Sequence, residues 1–244
     1  MTLQWLLRNT VKLAQYGQGI GLRHADKAAL QRLKRRAGSL VIVDVGANRG
    51  DYLQLALAEL ANRQIVIHAF EPSSVAFVAL EKRFGGRGGI VLNNLALSDR
   101  PGRQILHYDK AGSELSSLYA RKLEHHDIQF SGSEQVQVDT LDDYSRARTV
   151  EHIDLLKLDV EGHELSVLKG ATQMFERAAI GMVSFEFGGC NVDSRTYVRD
   201  FFDFFAMRHM KLARVTASGH LHPIPRYEEA LEQFRTTCFV ASPA

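Results

Sequence analysis

Apolar residues in this chain gather in short unbroken runs, and the stretches between them carry helical spacing. "SLVIVDV" (39–45) is rich in β-branched residues, as expected of a strand buried on both faces. "QIVIHAFEP" (64–72), "GIVLNNLAL" (89–97), "IDLLKLDVEG" (153–162) and "IGMVSFEF" (180–187) repeat the pattern. Strong helix formers fill "YLQLALAELA" (52–61), and a serine caps "SSVAFVALEKRF" (73–84). Further helices are predicted at 163–178 and 195–209, where Phe201, Phe202, Phe204 and Phe205 read as core packing plus an apolar rim. Extended stretches at 211–217 and 234–241 follow. Strands alternating with helices through short connections predict a doubly wound, mostly parallel sheet. Such sheets bind ligands beyond the carboxyl ends of their strands, where strand order reverses. The polar groups at Asp44–Gly50, Glu71, Asn93–Asn94, Asp159–Glu161 and Glu186 are therefore expected to converge on one crevice.

Residues 98–138 break the alternation. "SDRPGRQILHYD" reads as a hairpin turning at Asp99-Arg100-Pro101-Gly102, and the long polar stretch after it as a lid or substrate loop. A short helix begins at "VDTLDDY", with Thr140 and Asp143 spaced as a capping box.

Composition adds one asymmetry. The 244 residues carry a net +2, but residues 1–39 hold eight Lys/Arg and one acid, Asp26, for +7, leaving −5 on the rest. This divides the chain into a basic helical arm, 1–38, and a domain, 39–244. A solvated helix face accounts for the arm most simply. Its stripe Leu3, Leu6, Leu7 and Val11 also suits peripheral membrane contact. No run approaches a membrane span or a signal peptide core, and the two cysteines, Cys190 and Cys238, form no disulfide framework, so a cytoplasmic protein is expected. The acidic body has no basic-aromatic groove and argues against nucleic acid as a partner. The sequence is compatible with a homo-oligomer.

Gly46-Ala-Asn-Arg-Gly50 is shorter than the dinucleotide G-x-G-x-x-G, and Asp44 lies in the strand before it. A carboxylate there opposes a pyrophosphate and favours an amine or sulfonium. Glu71, 25 residues after Gly46, stands at the end of the second strand, where such folds hold ribose hydroxyls. Together these residues point to a ribose-bearing cofactor without a pyrophosphate, best matched by S-adenosylmethionine.

"VDVGANRGDY", "FEPSS", "NNLALSD", "VDTLDDY", "DLLKLDVEGHELSVLKGA" and "FRTTCFVA" resemble, in order over residues 39–241, an FkbM-type S-adenosylmethionine-dependent methyltransferase. The resemblance implies a class I, Rossmann-like fold with seven strands and an antiparallel C-terminal edge hairpin. It also implies methyl transfer to a hydroxyl of a saccharide, glycan or related metabolite, with S-adenosylhomocysteine as product. Asp44, Gly46, Asn48 and Gly50, with Ala47 and Tyr52 beside them, would hold the methionine part of the cofactor. Glu71 would bind ribose, shaped by Pro72 and Ser73; Asn94 and Leu95 would neighbour adenine; Asp159 would stand beside the sulfonium. Cys238 departs from the family pattern.

A sugar hydroxyl is a weak nucleophile and calls for a general base. Glu161 and His163 are the leading candidates, with Asp159 turned to the cofactor and Glu186 orienting base or acceptor. Helix-start electrostatics alone account for Glu164 and compete for His163. Ser113, Ser116 and Ser117 could reach acceptor hydroxyls. No metal spacing is evident; a divalent cation on Asp159 with Glu161 or Glu186 is the less favoured arrangement. Two rival classes remain: a non-catalytic cofactor-binding module acting through the basic arm, and a nicotinamide dehydrogenase, which the glycine spacing disfavours.

Overall fold

The computed structural model describes residues 22–244. The predicted Leu3–Val11 stripe lies outside them. Strand β1 (Leu40–Val45) leads through a glycine turn into α2 (Asp51–Glu59); β2 (Ile65–Phe70), α3 (Ser74–Phe84) and β3 (Ile90–Asn93) follow. After an inserted segment come α4 (Leu141–Arg148), β7 (Leu155–Leu158), α5 (Glu164–Lys169), α6 (Thr172–Glu176) and β8 (Val183–Phe187). The chain continues through α7 (Cys190–Ser194), α8 (Val198–Ala206), β9 (Met210–Val215), β10 (Leu221–Ile224) and β11 (Thr237–Pro243). The sheet order is β10-β9-β11-β8-β7-β1-β2-β3, with β1, β2, β3, β7 and β8 parallel and β9 to β11 antiparallel.

The sheet thus has eight strands rather than seven. The unexpected one, β10, pairs with β9 through a tight turn and takes the edge, and β11 lies inside the sheet between β8 and β9. The helix predicted at 163–178 is two short helices, α5 and α6. Alternation along the central strands divides the core between the two faces. Val43, Val45, Leu156 and Leu158 pack on the face of Phe201 and Phe205, while Leu40, Ile42 and Leu155 pack on the opposite face. Covering that second face is α1 (Leu22–Leu33), whose Ala28, Ala29, Leu30 and Leu33 are buried. The second half of the basic stretch is therefore packed against the sheet and is no free arm. Among the described residues no helix is long and apolar enough to cross a membrane.

The inserted segment forms a separate sheet. β6 (Gly132–Asp139) lies between β4 (Ala96–Leu97), which it pairs in parallel, and β5 (Gly102–Tyr108), antiparallel. The hairpin expected across Asp99–Gly102 does not form, because β4 and β5 both bond to β6 and not to each other. Residues 109–131 instead make a long excursion that folds back, with the His107 and Ser117 backbones exchanging hydrogen bonds of 2.8 and 2.9 Å. Thr140 caps α4, its Oγ1 accepting from the Asp143 N–H at 3.0 Å.

Candidate active site

Strand order reverses between β1 and β7, and their ends meet there backbone to backbone. Gly46 has φ +82°, and a Cβ on it would stand 1.8 Å from the Asp159 carbonyl oxygen. Above this contact lies a cavity of about 510 Å³, floored by the carboxyl ends of β1, β2, β7 and β8 and roofed by Leu115–Leu118 of the excursion. Gly46, Ala47, Asn48, Tyr52, Glu71, Pro72 and Leu95 line it, as do Asp159, Glu161, His163 and Glu186.

Four expected cofactor residues do not reach the cavity. Asp44 is fully buried beneath it and forms an ion pair with Lys157 at 3.2 Å. Gly50 packs α2 on α3, since a Cβ would meet the Phe84 ring at 2.4 Å. Ser73 supports Glu71 through its N–H, and Asn94 donates its amide to the Glu71 and Pro72 carbonyls at 2.8 and 3.1 Å. The turn's N–H groups bond internally. Gly46 and Ala47 donate to the Phe70 carbonyl, Asn48 to Glu71 Oε2, and Gly50 to the Ala47 carbonyl. Glu71 in turn holds both strand ends, accepting from Asn48 and Ser73 at 2.8 Å, and burial pushes its pKa up to about 7.

Lys157 is the cation of this floor. On β7 it shares the face of Leu155, opposite Asp44 in register, and its ammonium also reaches Asp159 Oδ2 at 3.3 Å. It stands 5.0 Å from the centre of the Tyr52 ring. Asp26 of α1 lines the same end of the cavity, its pKa raised to about 6 by burial.

At the other end, the β7–α5 loop bends through Glu161 at φ +51° and Gly162 at φ +101°. Glu164 holds this bend by accepting from the Val160 and Gly162 N–H groups at 3.1 and 3.2 Å, a more specific role than helix-start electrostatics. His163 lines the cavity but is a poor base. Its Nε2 hydrogen-bonds Ser98 Oγ at 2.8 Å, and burial lowers its pKa to about 4. Glu161 bonds directly to Arg121, itself buried, which also approaches Asp193 at 3.7 Å. Burial pushes Glu161 up to about 8, and burial beside Asp159, Glu161 and Glu164 pushes Glu186 up to about 9. The hydroxyls of Ser113, Ser116 and Ser117 all bond within the roof or to the Glu161 loop, so they shape the cavity more than they offer free donors. Among the described residues no group of three His, Cys, Asp or Glu has metal-holding geometry.

The family profile described as "Methyltransferase FkbM domain" matches residues 44–211, from β1 to β9. The chain belongs to the FkbM methyltransferase family. This FkbM protein is 29% identical over 143 residues to the 2-O-methyltransferase NoeI of Sinorhizobium fredii, a match covering 54% of the chain and 58% of NoeI. The match thus spans less than two thirds of that relative. The methyltransferase FkbM from Methylobacillus flagellatus superposes with a TM-score of 0.52 at 16% identity, over 86% of this chain and 46% of that one. A Streptococcus mutans protein solved in complex with SAH gives 0.50 at 8% identity, over 91% and 97%. Both likenesses concern the fold.

Among the lining residues that the sequence did not single out, three carry charge into the site's ion pairs and acid-rich end. Lys157 had a signal, a lysine inside the apolar run "LLKL"; Asp26 was visible as the one acid in a basic stretch; Arg121 had none.

Proposed function

We propose that this FkbM methyltransferase transfers a methyl group from S-adenosylmethionine to a hydroxyl of a saccharide or related small molecule. The observation that carries this reading is one cavity joining an acid-rich end, Asp26 and Asp159, to a pair of raised carboxyls, Glu161 and Glu186. The first suits a cationic donor and the second an acceptor that must lose a proton. The residues fit the cofactor: among the described residues three carboxylates, Asp26, Asp44 and Asp159, interact with the one ammonium of Lys157. Each Glu71 oxygen accepts one N–H and keeps an acceptor position for a ribose hydroxyl. The name of NoeI supports transfer to oxygen.

S-adenosylmethionine held there would supply an electrophilic methyl carbon, attacked in line by the acceptor oxygen as the carbon–sulfur bond breaks to leave S-adenosylhomocysteine. Asp159 stabilises positive charge at the strand switch. Glu161, aimed by Arg121, takes the proton of the acceptor hydroxyl, and its pKa near 8 matches that task at mildly alkaline pH. Glu186, protonated at pH 7, donates a hydrogen bond to a second acceptor oxygen. The roof of Leu115–Leu118 narrows the access of water to the reacting centre. The test is transfer of labelled methyl to a panel of saccharides and small hydroxylated acceptors. Tight cofactor binding without turnover on any hydroxyl would overturn the acceptor class.

A further inference from the structure

The family match begins at Asp44, yet the cavity takes a lining residue from before it: Asp26 on α1. We infer that Asp26 is a cofactor-binding residue that receives the ammonium of the donor's amino-acid end, so that α1 completes the site; this rests on the S-adenosylmethionine reading above.

Charge at this end carries the inference. Asp26 interacts electrostatically with Lys157, Asp159 and Asp44, so three carboxylates face one ammonium. Lys157 is already engaged by Asp44 and Asp159 at 3.2 and 3.3 Å. Among the described residues it therefore leaves negative charge toward α1 without a matching cation. The neighbouring glycine turn has bonded its own N–H groups to Phe70, Glu71 and Ala47. Such a subsite selects a cation.

The order of charges along the cavity identifies which cation. Glu161, Glu186 and Asp26 all interact with Asp159, but Asp26 stands on α1, packed on the sheet face of Leu40 and Ile42, whereas Glu161 is tied by Arg121 to the excursion. Asp159 is common to both ends. A donor whose reactive centre lies by Asp159, within reach of Glu161, extends its amino-acid end toward Asp26. Asp26 is also held firmly: Ala28, Ala29, Leu30 and Leu33 bury the following turns of α1 against the sheet. A carboxylate fixed before binding loses little freedom when it engages an ammonium.

The test titrates full-length protein and Asp26→Asn with three ligands by calorimetry: S-adenosylhomocysteine, its deamino analogue, and 5′-methylthioadenosine, which lacks the whole amino-acid portion. The variant should bind S-adenosylhomocysteine roughly tenfold weaker or worse, the scale of truncating one partner of a partly buried charge pair. It should bind the other two ligands as the parent does. Equal losses on all three ligands, or no loss on any, overturn the assignment. Should Asp26→Asn not fold, Asp26→Ser takes its place, with thermal unfolding of the free protein confirming that the comparison is between folded forms. Failure of the underlying reading is distinguishable, because the parent protein would then bind none of the three.

Discussion

Replacing Lys157 by methionine removes the cation on which the floor of the cavity depends. Asp44 is completely buried and its ion-pair partner is Lys157, so the variant leaves a carboxylate enclosed without a counter-charge. Breaking a buried pair in this way costs about 3–5 kcal/mol. An independent ceiling follows from protonation. Asp44 escapes the penalty by taking up a proton, which from an ordinary aspartate value costs about 4 kcal/mol at pH 7 and about 1.5 kcal/mol at pH 5. In the parent, burial pulls Lys157 down, but Asp44, Asp159 and Asp26 outweigh it and hold its pKa above the ordinary lysine value. The stability from that raised value is complete below the unfolded lysine pKa and is lost only at higher pH, so it is the same at pH 5 and pH 7. The pH trend of the variant therefore belongs to Asp44. Urea unfolding should show Lys157→Met destabilised by roughly 3–4 kcal/mol at pH 7 and by about half that or less at pH 5. The double variant Asp44→Asn, Lys157→Met should recover much of the loss at pH 7. A loss under about 1 kcal/mol, or a double variant no better than the single, would refute the argument.

Other expectations follow from the same geometry. Glu161→Gln should bind S-adenosylhomocysteine normally by calorimetry while losing about 100-fold or more in turnover. In the parent, kcat/KM should rise with pH as Glu161 ionises near 8 and fall again as Glu186 loses its proton near 9, because the base acts only deprotonated and the donor only protonated. His163→Ala should behave oppositely, losing about 2 kcal/mol in denaturant as the Ser98 contact and packing go, with turnover changed less than about tenfold. Gly46→Ala combines a left-handed φ with a backbone collision at the Asp159 carbonyl; about 2–5 kcal/mol of destabilisation and weakened cofactor binding are expected, read by thermal unfolding and calorimetry.

Much of the fold was legible in the sequence because the parallel core is written in unbroken apolar runs, and β1, β2, β7 and β8 fall where those runs are. The eighth strand was not, because "LHPI" has two exposed positions and a proline, and an edge strand needs no buried pattern. The false hairpin at Asp99–Gly102 has a similar cause. A Pro-Gly turn specifies a local bend, but β6, some thirty residues onward, decides what β5 pairs with.

The site divides along the same line. Residues placed by strand ends, Glu71, Asp159, Glu161 and Glu186, reached the cavity, since strand-end position follows directly from the apolar pattern. Asp44 did not, and period-two alternation explains why. It shares a face with Leu40 and Ile42, directed under α1 and α2 and away from the crevice. Lys157 shares a face with Leu155, so two opposite charges, each inside an apolar run, stand in register on adjacent strands. Neither charge is tolerable there alone, and that is a signal sequence reasoning can use: a lysine within a buried strand requires an acid on the neighbouring one. Arg121 carries no such mark. Its partners come from the β7–α5 loop (Glu161) and from α7 (Asp193), and only the folding back of residues 109–131 brings Arg121 to them. That excursion roofs the Glu161 end of the cavity, so this end is shaped by the part of the chain with the weakest local pattern.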